Sequence, residues 1–157
     1  MNWSASGPKL CDLDIAEFEK AAGRPLPGQV RWFLTEIVNG GGPKDRDLWI
    51  PIGDPRDPEA DVLYLFAINA PKNGSDLLKS LTYYTAPMFQ SGWPIGYDSY
   101  NCTYLFYEKG PYAGQVRYMP HQESQGLGPG KSFAVAGSMA EFAALIRKHG
   151  GPFHLVP

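Results

Sequence analysis

Three consecutive glycines follow Asn39 and divide the sequence into two parts with different hydrophobic periodicity. Before this break, apolar residues recur at helical spacing in two segments, Ile15 to Ala22 and Val30 to Val38. After it, short apolar runs with Tyr, Ile, Val and Phe alternate with Pro, Gly and Asp, which is typical of strands and turns. Glycine adopts the left-handed conformation that ends a helix without steric cost. The break therefore predicts the end of the second helix and the start of a β-rich region.

Capping patterns predict where the helices begin. A Ser or Asp followed three residues later by Glu forms a capping box, and Pro suits the first turn of a helix. The predicted helix starts are Asp14, with Glu17 three residues on, Pro27, Ser75, and Ser138, with Glu141 three residues on. Gly23 should end the first helix, and Gly150-Gly151-Pro152 should end the last one.

The strands predicted from apolar runs lie between the helices. They are Leu48 to Ile52, Val62 to Ile68, Trp93 to Tyr97, Thr103 to Tyr107, Gln115 to Met119 and Ser132 to Ala136. About six strands and four helices in this order predict an α+β fold, with a largely antiparallel sheet packed against helices. A chain of 157 residues fits one domain, expected over residues 1–157 with its core at about 14–149.

Composition excludes several classes of partner. With 14 basic and 16 acidic residues, the net charge of −2 argues against a generic electrostatic grip on nucleic acid or on a membrane surface. The first residues lack the apolar core of a secretory signal, so a cytoplasmic location is expected. Cys11 and Cys102 stand outside any metal-binding or disulfide spacing and are expected to be reduced thiols. No cofactor or metal is expected.

The stretch Gly126 to Ser132 ends in Gly-Lys-Ser, as phosphate-binding loops do. Such a loop needs a glycine five places before the glycine that precedes its lysine, and Gln125 stands there. An apolar run follows Lys131, where a phosphate loop would run into a helix. The stretch is therefore interpreted as a loop between two strands.

Few residues could support catalysis. His121 and Glu123 lie just beyond a predicted strand, and Asp98 could join them as an acid/base set for a hydrolase. No nucleophile motif accompanies them, so a solvated loop histidine is the favoured interpretation. Asp98 and Asn101 lie in a turn, where such side chains more often bond neighbouring backbone amides.

Aromatic and acidic residues indicate a protein-binding surface instead. Trp93, Tyr97 and Tyr100, like Trp49, lie near loops, and aromatic side chains offer large contact area at low entropic cost. Residues 44–61 hold six acids and three bases, a local net charge of −3 that would steer a basic partner. An ordinary solvated loop is the favoured interpretation of this charge, and core packing accounts for more than half of the aromatic residues. The candidate partner-binding residues are Asp54, Asp57, Glu59, Asp61, Trp93, Tyr97, Asp98 and Tyr100.

Several segments together resemble the SUKH superfamily of Smi/Knr-like domains. Its members open with a helix carrying Phe-Glu, then Gly, Leu-Pro and a second helix ending in Asn-Gly-Gly; a Pro-Ile-Gly/Ala-x-Asp segment and a closing strand and helix follow. The matching residues here are Phe18-Glu19, Gly23, Leu26-Pro27, Asn39-Gly40-Gly41, Pro94 to Asn101, Ser132 to Ala136 and Phe142. Tyr100 departs from the pattern, because the family has glycine before the asparagine.

The resemblance implies a non-catalytic binding fold. Some SUKH proteins resemble bacterial immunity proteins that neutralise a cognate polymorphic toxin by direct contact, and a fungal branch acts as scaffolds in cell-wall regulation. The expected partner is therefore a toxin protein, with a basic nuclease domain as one candidate. A scaffold or regulatory interaction module is the alternative, and the oligomeric state stays open.

Overall fold

The computed structural model describes residues 2–4, 6–44, 47–72, 74–83, 92–120, 132–152 and 154–155. The helices are α1 (Asp12–Ala22), α2 (Gly28–Trp32, continued by a π-helical segment Phe33–Ile37), α3 (Leu77–Tyr83) and α4 (Met139–Gly150). The strands are β1 (Asn2–Ser4), β2 (Gly42–Pro43), β3 (Trp49–Pro51), β4 (Glu59–Asp61), β5 (Tyr64–Leu65), β6 (Gly92–Tyr97), β7 (Thr103–Tyr107), β8 (Val116–Met119), β9 (Phe133–Ala136) and β10 (His154–Leu155). The predicted α+β class is confirmed.

The main sheet has five strands in the order β5-β6-β7-β8-β9, and every pair in it is antiparallel. The hairpin of β3 and β4 reaches both edge strands of this sheet, β9 and β5. Gly53, just after β3, donates its N–H to the carbonyl of Ala134 in β9 at 2.8 Å. At the other end, β4 runs through Val62 and Leu63 into β5, the opposite edge strand. A backbone group at the β9 edge thereby gains a partner that an open sheet would lack.

A smaller sheet extends the β5 edge further. Its order is β10-β1-β2, with β1 parallel to β10 and antiparallel to β2. Gly41, just before β2, exchanges two backbone hydrogen bonds with Leu65, at 2.9 and 2.7 Å. The glycine-rich break therefore ends the helical region and also starts the strand pairing.

Two predicted helix starts are corrected. Helix α1 begins at Asp12 with Cys11 as its N-cap, and Asp14 occupies the third helical position, where its carboxylate accepts the Cys11 N–H at 2.8 Å. Helix α3 follows Asp76, whose Oδ1 accepts the Lys79 N–H at 3.0 Å, as an N-cap does. Ser75 instead hydrogen-bonds the Tyr97 hydroxyl. In each case a neighbouring polar side chain occupies the cap.

The other predicted helix ends lie within one residue of the observed ones. Pro27 is the N-cap of α2, one place before the predicted first turn, and Gly23 ends α1 with φ at 70°. Ser138 caps α4 as predicted, with its side chain accepting the Glu141 N–H at 3.1 Å.

The strand predicted over Val62 to Ile68 forms only in part, because β5 covers Tyr64 and Leu65, while Val62 and Leu63 connect it to β4. Asp61 closes β4 and is held by long-range contacts described below. The strands predicted near Trp93, Thr103, Gln115 and Ser132 are confirmed to within one residue at each end.

Helix α4 packs its apolar side across the sheet. Met139, Phe142 and Ile146 are fully buried, and the Phe142 ring lies 5.8 Å from Tyr104 of β7 and 6.1 Å from Phe33 of the π-helical segment. The buried apolar side chains of helices and strands form one main cluster. Among the described residues, no helix combines the length and apolar character that crossing a membrane would require.

Gly96 of β6 marks a point where backbone and side chain approach too closely for any Cβ. A Cβ there would lie 2.6 Å from the Tyr64 carbonyl oxygen and 2.8 Å from a methyl of Leu65. We expect Gly96→Ala to lower the free energy of unfolding by about 1–3 kcal/mol, as overpacking does. Urea denaturation measures this change as a lower midpoint at an unchanged m-value.

Gly28→Ala is the matched control, because a Cβ on this exposed first residue of α2 would meet nothing within 4 Å. It should leave stability unchanged or raise it by about 0.4–1 kcal/mol. Equal stability of the two variants would contradict the proposed contact.

Candidate functional site

A buried carboxylate organises the turn between β6 and β7. Asp98 is 1% exposed, and its Oδ1 accepts the backbone N–H groups of Tyr100 at 2.9 Å and Cys102 at 2.8 Å. Its Oδ2 accepts the Tyr118 hydroxyl of β8 at 2.6 Å. Burial, and then the hydrogen bond to Asp98, raise the pKa of Tyr118, so the phenol remains a donor. Asp98 therefore acts as an internal anchor, as its position in a turn indicated.

The backbone of this turn is closed by two further hydrogen bonds, from Asp98 N–H to the Cys102 carbonyl and from Asn101 N–H to the Asp98 carbonyl. Asn101 adopts a φ of 60°, which asparagine tolerates better than most residues. Tyr100 is not among the residues with positive φ. A side chain in place of the family's glycine is therefore compatible with this turn.

Asp61 connects the hairpin to the same turn. Its carboxylate accepts the Ser99 N–H at 3.2 Å and the Ser99 hydroxyl at 3.0 Å. Its backbone carbonyl accepts the buried Tyr104 hydroxyl at 2.8 Å. Although predicted as an exposed acid, Asp61 is buried and serves to hold β4 against the Asp98 turn.

Three exposed apolar side chains belong to the backbone segments that Asp61 connects. Trp49 is the cross-strand partner of Asp61, Leu63 follows Asp61 by two residues, and Tyr100 follows the Ser99 that Asp61 binds. Their exposed fractions are 44%, 47% and 73%. We call Trp49, Leu63 and Tyr100 the apolar patch. Large exposed apolar side chains on backbone segments that hydrogen bonds hold in place are typical of interaction surfaces.

The acidic residues of the 54–61 segment differ in their surroundings. Asp54 is buried and accepts both side-chain and backbone hydrogen bonds from Arg56, with an ion-pair distance of 3.0 Å. The Arg56 side-chain hydrogen bond is the main reason that the pKa of Asp54 is lowered. Asp57 and Glu59 are exposed. Only these two of the four predicted acids lie free at the surface.

Two of the predicted aromatic contacts lie deeper than expected. Trp93 is fully buried, with the Arg24 guanidinium 3.8 Å above its ring and Phe18 at 6.3 Å. Trp93 is therefore a core residue and not a partner-binding residue, because a partner could not reach the ring. Tyr97 is half-buried and stacks on Tyr64 at 6.0 Å.

The hydrolase set finds no support in the described residues. His121 and Glu123 lie outside them, and both carboxylate oxygens of Asp98 are occupied by the bonds described above. The described ranges contain no cluster of three His, Cys, Asp or Glu side chains suited to a metal ion. Of the Gly-Lys-Ser stretch only Ser132 is described, and its hydroxyl accepts a hydrogen bond from Arg117 at 2.7 Å.

The sequence did not reveal the residues that hold the buried carboxylates of Asp61 and Asp98. Ser99, Tyr104 and Tyr118 bind the two buried carboxylates from separate elements, and nothing in their local sequence marks this role. Leu63 was missed because it was assigned to a strand. It lies in the two-residue connection between β4 and β5, where its side chain is exposed.

Comparison with known families identifies one match. The model of the SMI1 / KNR4 family (SUKH-1) matches residues 10–144, which include every helix start, the Asp98 turn and the apolar patch. A comparison with curated proteins finds no match.

Removing the Asp98 carboxylate should destabilise the protein strongly. Asp98→Ala leaves two N–H groups and one hydroxyl without their acceptor inside the fold, which should cost about 3–5 kcal/mol of unfolding free energy. Asp98→Asn should cost less, because its Oδ1 still accepts from Tyr100 and Cys102. Chemical denaturation measures both, and hydrogen exchange at these two amides should accelerate in Asp98→Ala.

The exposed Asp57 offers the control for this series. Asp57→Ala should change stability by no more than about 0.5 kcal/mol. If Asp98→Ala were equally mild, the anchoring role assigned to Asp98 would be wrong.

Proposed function

The chain belongs to the SMI1 / KNR4 family (SUKH-1), and on this premise we propose that it is an immunity protein that neutralises a cognate bacterial toxin by direct binding. The family includes toxin immunity proteins. We propose further that the chain acts in the cytoplasm as one domain, without catalysis, and that its partner is a protein and not a nucleic acid or a membrane. The observation that carries the proposal is the apolar patch, whose backbone is held in place by the hydrogen bonds of Asp61 and Asp98.

The hydrogen bonds of Asp98 and Asp61 explain why the patch suits binding. Binding costs free energy when flexible side chains and loops become ordered. Here the backbone of Tyr100 is fixed by Asp98, and the strand opposite Trp49 is fixed by Asp61. Trp and Tyr are also the residue types that most often dominate the energy of an interface. A preorganised Trp49 and Tyr100 would therefore lose little entropy on contact.

The charges beside the patch favour a basic partner. Glu59 is the cross-strand partner of Pro51 in the same hairpin as Trp49, and Asp57 lies in the loop between the two strands. The Asp54–Arg56 pair is already neutralised internally. The two exposed acids would attract a basic toxin surface, such as that of a nuclease domain, and set its orientation.

A scaffold or regulatory module of the same fold would use the same kind of surface. The partner distinguishes the two functions, because an immunity protein binds a toxin made by its own cell. For the hydrolase alternative, by contrast, the occupied Asp98 carboxylate counts against the required acid/base set.

The direct test starts from the neighbouring reading frame, where the cognate toxin of an immunity protein is expected, and uses the C-terminal toxin domain encoded there. Co-expression of the chain should restore growth of cells that produce this toxin domain, and the two proteins should co-elute on size-exclusion chromatography. Changing Trp49 and Tyr100 together to Ala should weaken the complex about 30-fold or more, because hot-spot side chains contribute about 2 kcal/mol or more. Titration calorimetry measures the loss.

Trp32→Ala is the matched control, since Trp32 is an exposed aromatic residue on α2, outside the patch. It should bind and protect like the wild type. Absence of any complex or protection would overturn the immunity function. A complex that tolerates the double change would place the interface elsewhere.

Reversing the exposed acids should slow association. Asp57→Lys with Glu59→Lys is expected to lower the association rate constant several-fold at low salt, because opposite charges steer the encounter, and the difference should shrink as salt rises. Asp54 and Asp61 are left unchanged because both are bound inside the fold. Stopped-flow measurements at two ionic strengths report the rates.

Glu17→Lys with Glu36→Lys gives the same change in net charge on the helical side of the chain, at two exposed positions. This control should associate at nearly the wild-type rate. Equal slowing by both pairs would show that only overall charge matters, and the local steering proposed here would be wrong.

A further inference from the structure

A second feature lies on the other side of the Asp98 turn. A cavity of about 350 Å³ opens between the start of α3 and the end of β6. Volumes of this size fall within the range of small-molecule sites. The residues that line it are Phe66, Gly74, Ser75, Asp76, Lys79, Ser80, Tyr97 and Asn101. None of them belongs to the apolar patch.

Hydrogen-bond donors dominate the polar part of this lining. The Lys79 ammonium forms no ion pair in the described part of the chain, and the Asn101 side-chain amide likewise makes no hydrogen bond there. The Ser75 and Tyr97 hydroxyls lie 2.9 Å apart. Since one of these hydroxyls donates to the other, the pair retains one O–H to donate to a ligand.

The acidic member of the lining is already engaged. Asp76 Oδ1 accepts the backbone N–H of Lys79 at 3.0 Å and caps α3. This hydrogen bond holds the Asp76 carboxylate at the start of α3 but leaves its negative charge in place. The lining therefore carries one carboxylate fixed at the helix start and one ammonium, on the flexible side chain of Lys79, which can turn toward a bound carboxylate.

Aromatic rings form the apolar wall. The ring of Phe66 lies 5.5 Å from that of Tyr97, and Tyr97 also stacks on Tyr64 at 6.0 Å. Phe66 is buried and Tyr97 half-buried, so the wall is fixed by packing before any ligand arrives. A flat or branched apolar group would lie against these rings.

We propose that this cavity binds a small organic carboxylate with an apolar or aromatic body. The carboxylate would accept from Lys79, Asn101 and the Ser75–Tyr97 hydroxyl pair, while the body rests on Phe66 and Tyr97. One available cation suits a monoanion, whereas a phosphate dianion would call for more positive charge. The carboxylate could belong to a free molecule or to an acidic side chain of a partner protein.

The test is a titration of the intact protein with phenylacetate, followed by amide NMR. We expect saturable shifts at Ser75, Lys79, Tyr97 and Asn101, with a dissociation constant in about the millimolar range for a ligand of about ten heavy atoms. Benzyl alcohol and phenethylamine should bind at least about fivefold more weakly. Equal or tighter binding of the neutral or cationic analogue would overturn the proposal, as would unchanged spectra.

Lys79→Gln tests the charge. It should raise the dissociation constant of phenylacetate about tenfold, because a charge-assisted hydrogen bond is lost. Lys148→Gln on α4 is the matched control and should bind like the wild type. Thermal unfolding of both variants should match that of the parent. Unchanged affinity in a folded Lys79→Gln would overturn the assignment.

A blocked hexapeptide with one internal glutamate distinguishes the two sources of the carboxylate. Binding of the peptide at the same four residues assigns the cavity to an acidic side chain of a partner. Binding of phenylacetate alone assigns it to a free small molecule. These titrations use the chain alone, so their outcome does not depend on whether a toxin complex forms.

Discussion

The buried carboxylate of Asp98 is the constraint on which the functional face depends. A charge removed from water is tolerable only when its oxygens accept enough hydrogen bonds, and here Tyr100, Cys102 and Tyr118 supply three. These bonds join the turn after β6 to strand β8. Since a partner must be present for each oxygen, the turn has little freedom to adopt another shape.

The Asp98 turn positions residues of both the apolar patch and the cavity. On one side, Ser99 binds Asp61 and so brings the β3–β4 hairpin against the turn that displays Tyr100. On the other, Asn101 lines the cavity beside Tyr97. One rigid element thus positions both the proposed toxin-binding patch and the proposed carboxylate site. A change at Asp98 should affect both, although no residue is common to them.

Local sequence signals predicted most of the fold but only part of the site. Capping residues and glycines located the helices to within about three residues, because these signals act within a single turn of the chain. The strands β6 to β9 were equally evident, since their apolar runs are buried on a central sheet. The prediction was too long at Val62 to Ile68, where an apolar run alone could not show that only Tyr64 and Leu65 form a strand.

What the sequence by itself determined is the α+β order of elements and the family. The tertiary structure decided which aromatic and acidic residues are available. Trp93 and Asp61 look like Trp49 and Asp57 in the sequence, yet the first two are buried and the second two exposed. Exposure depends on contacts between residues far apart in the chain, and no local pattern encodes them.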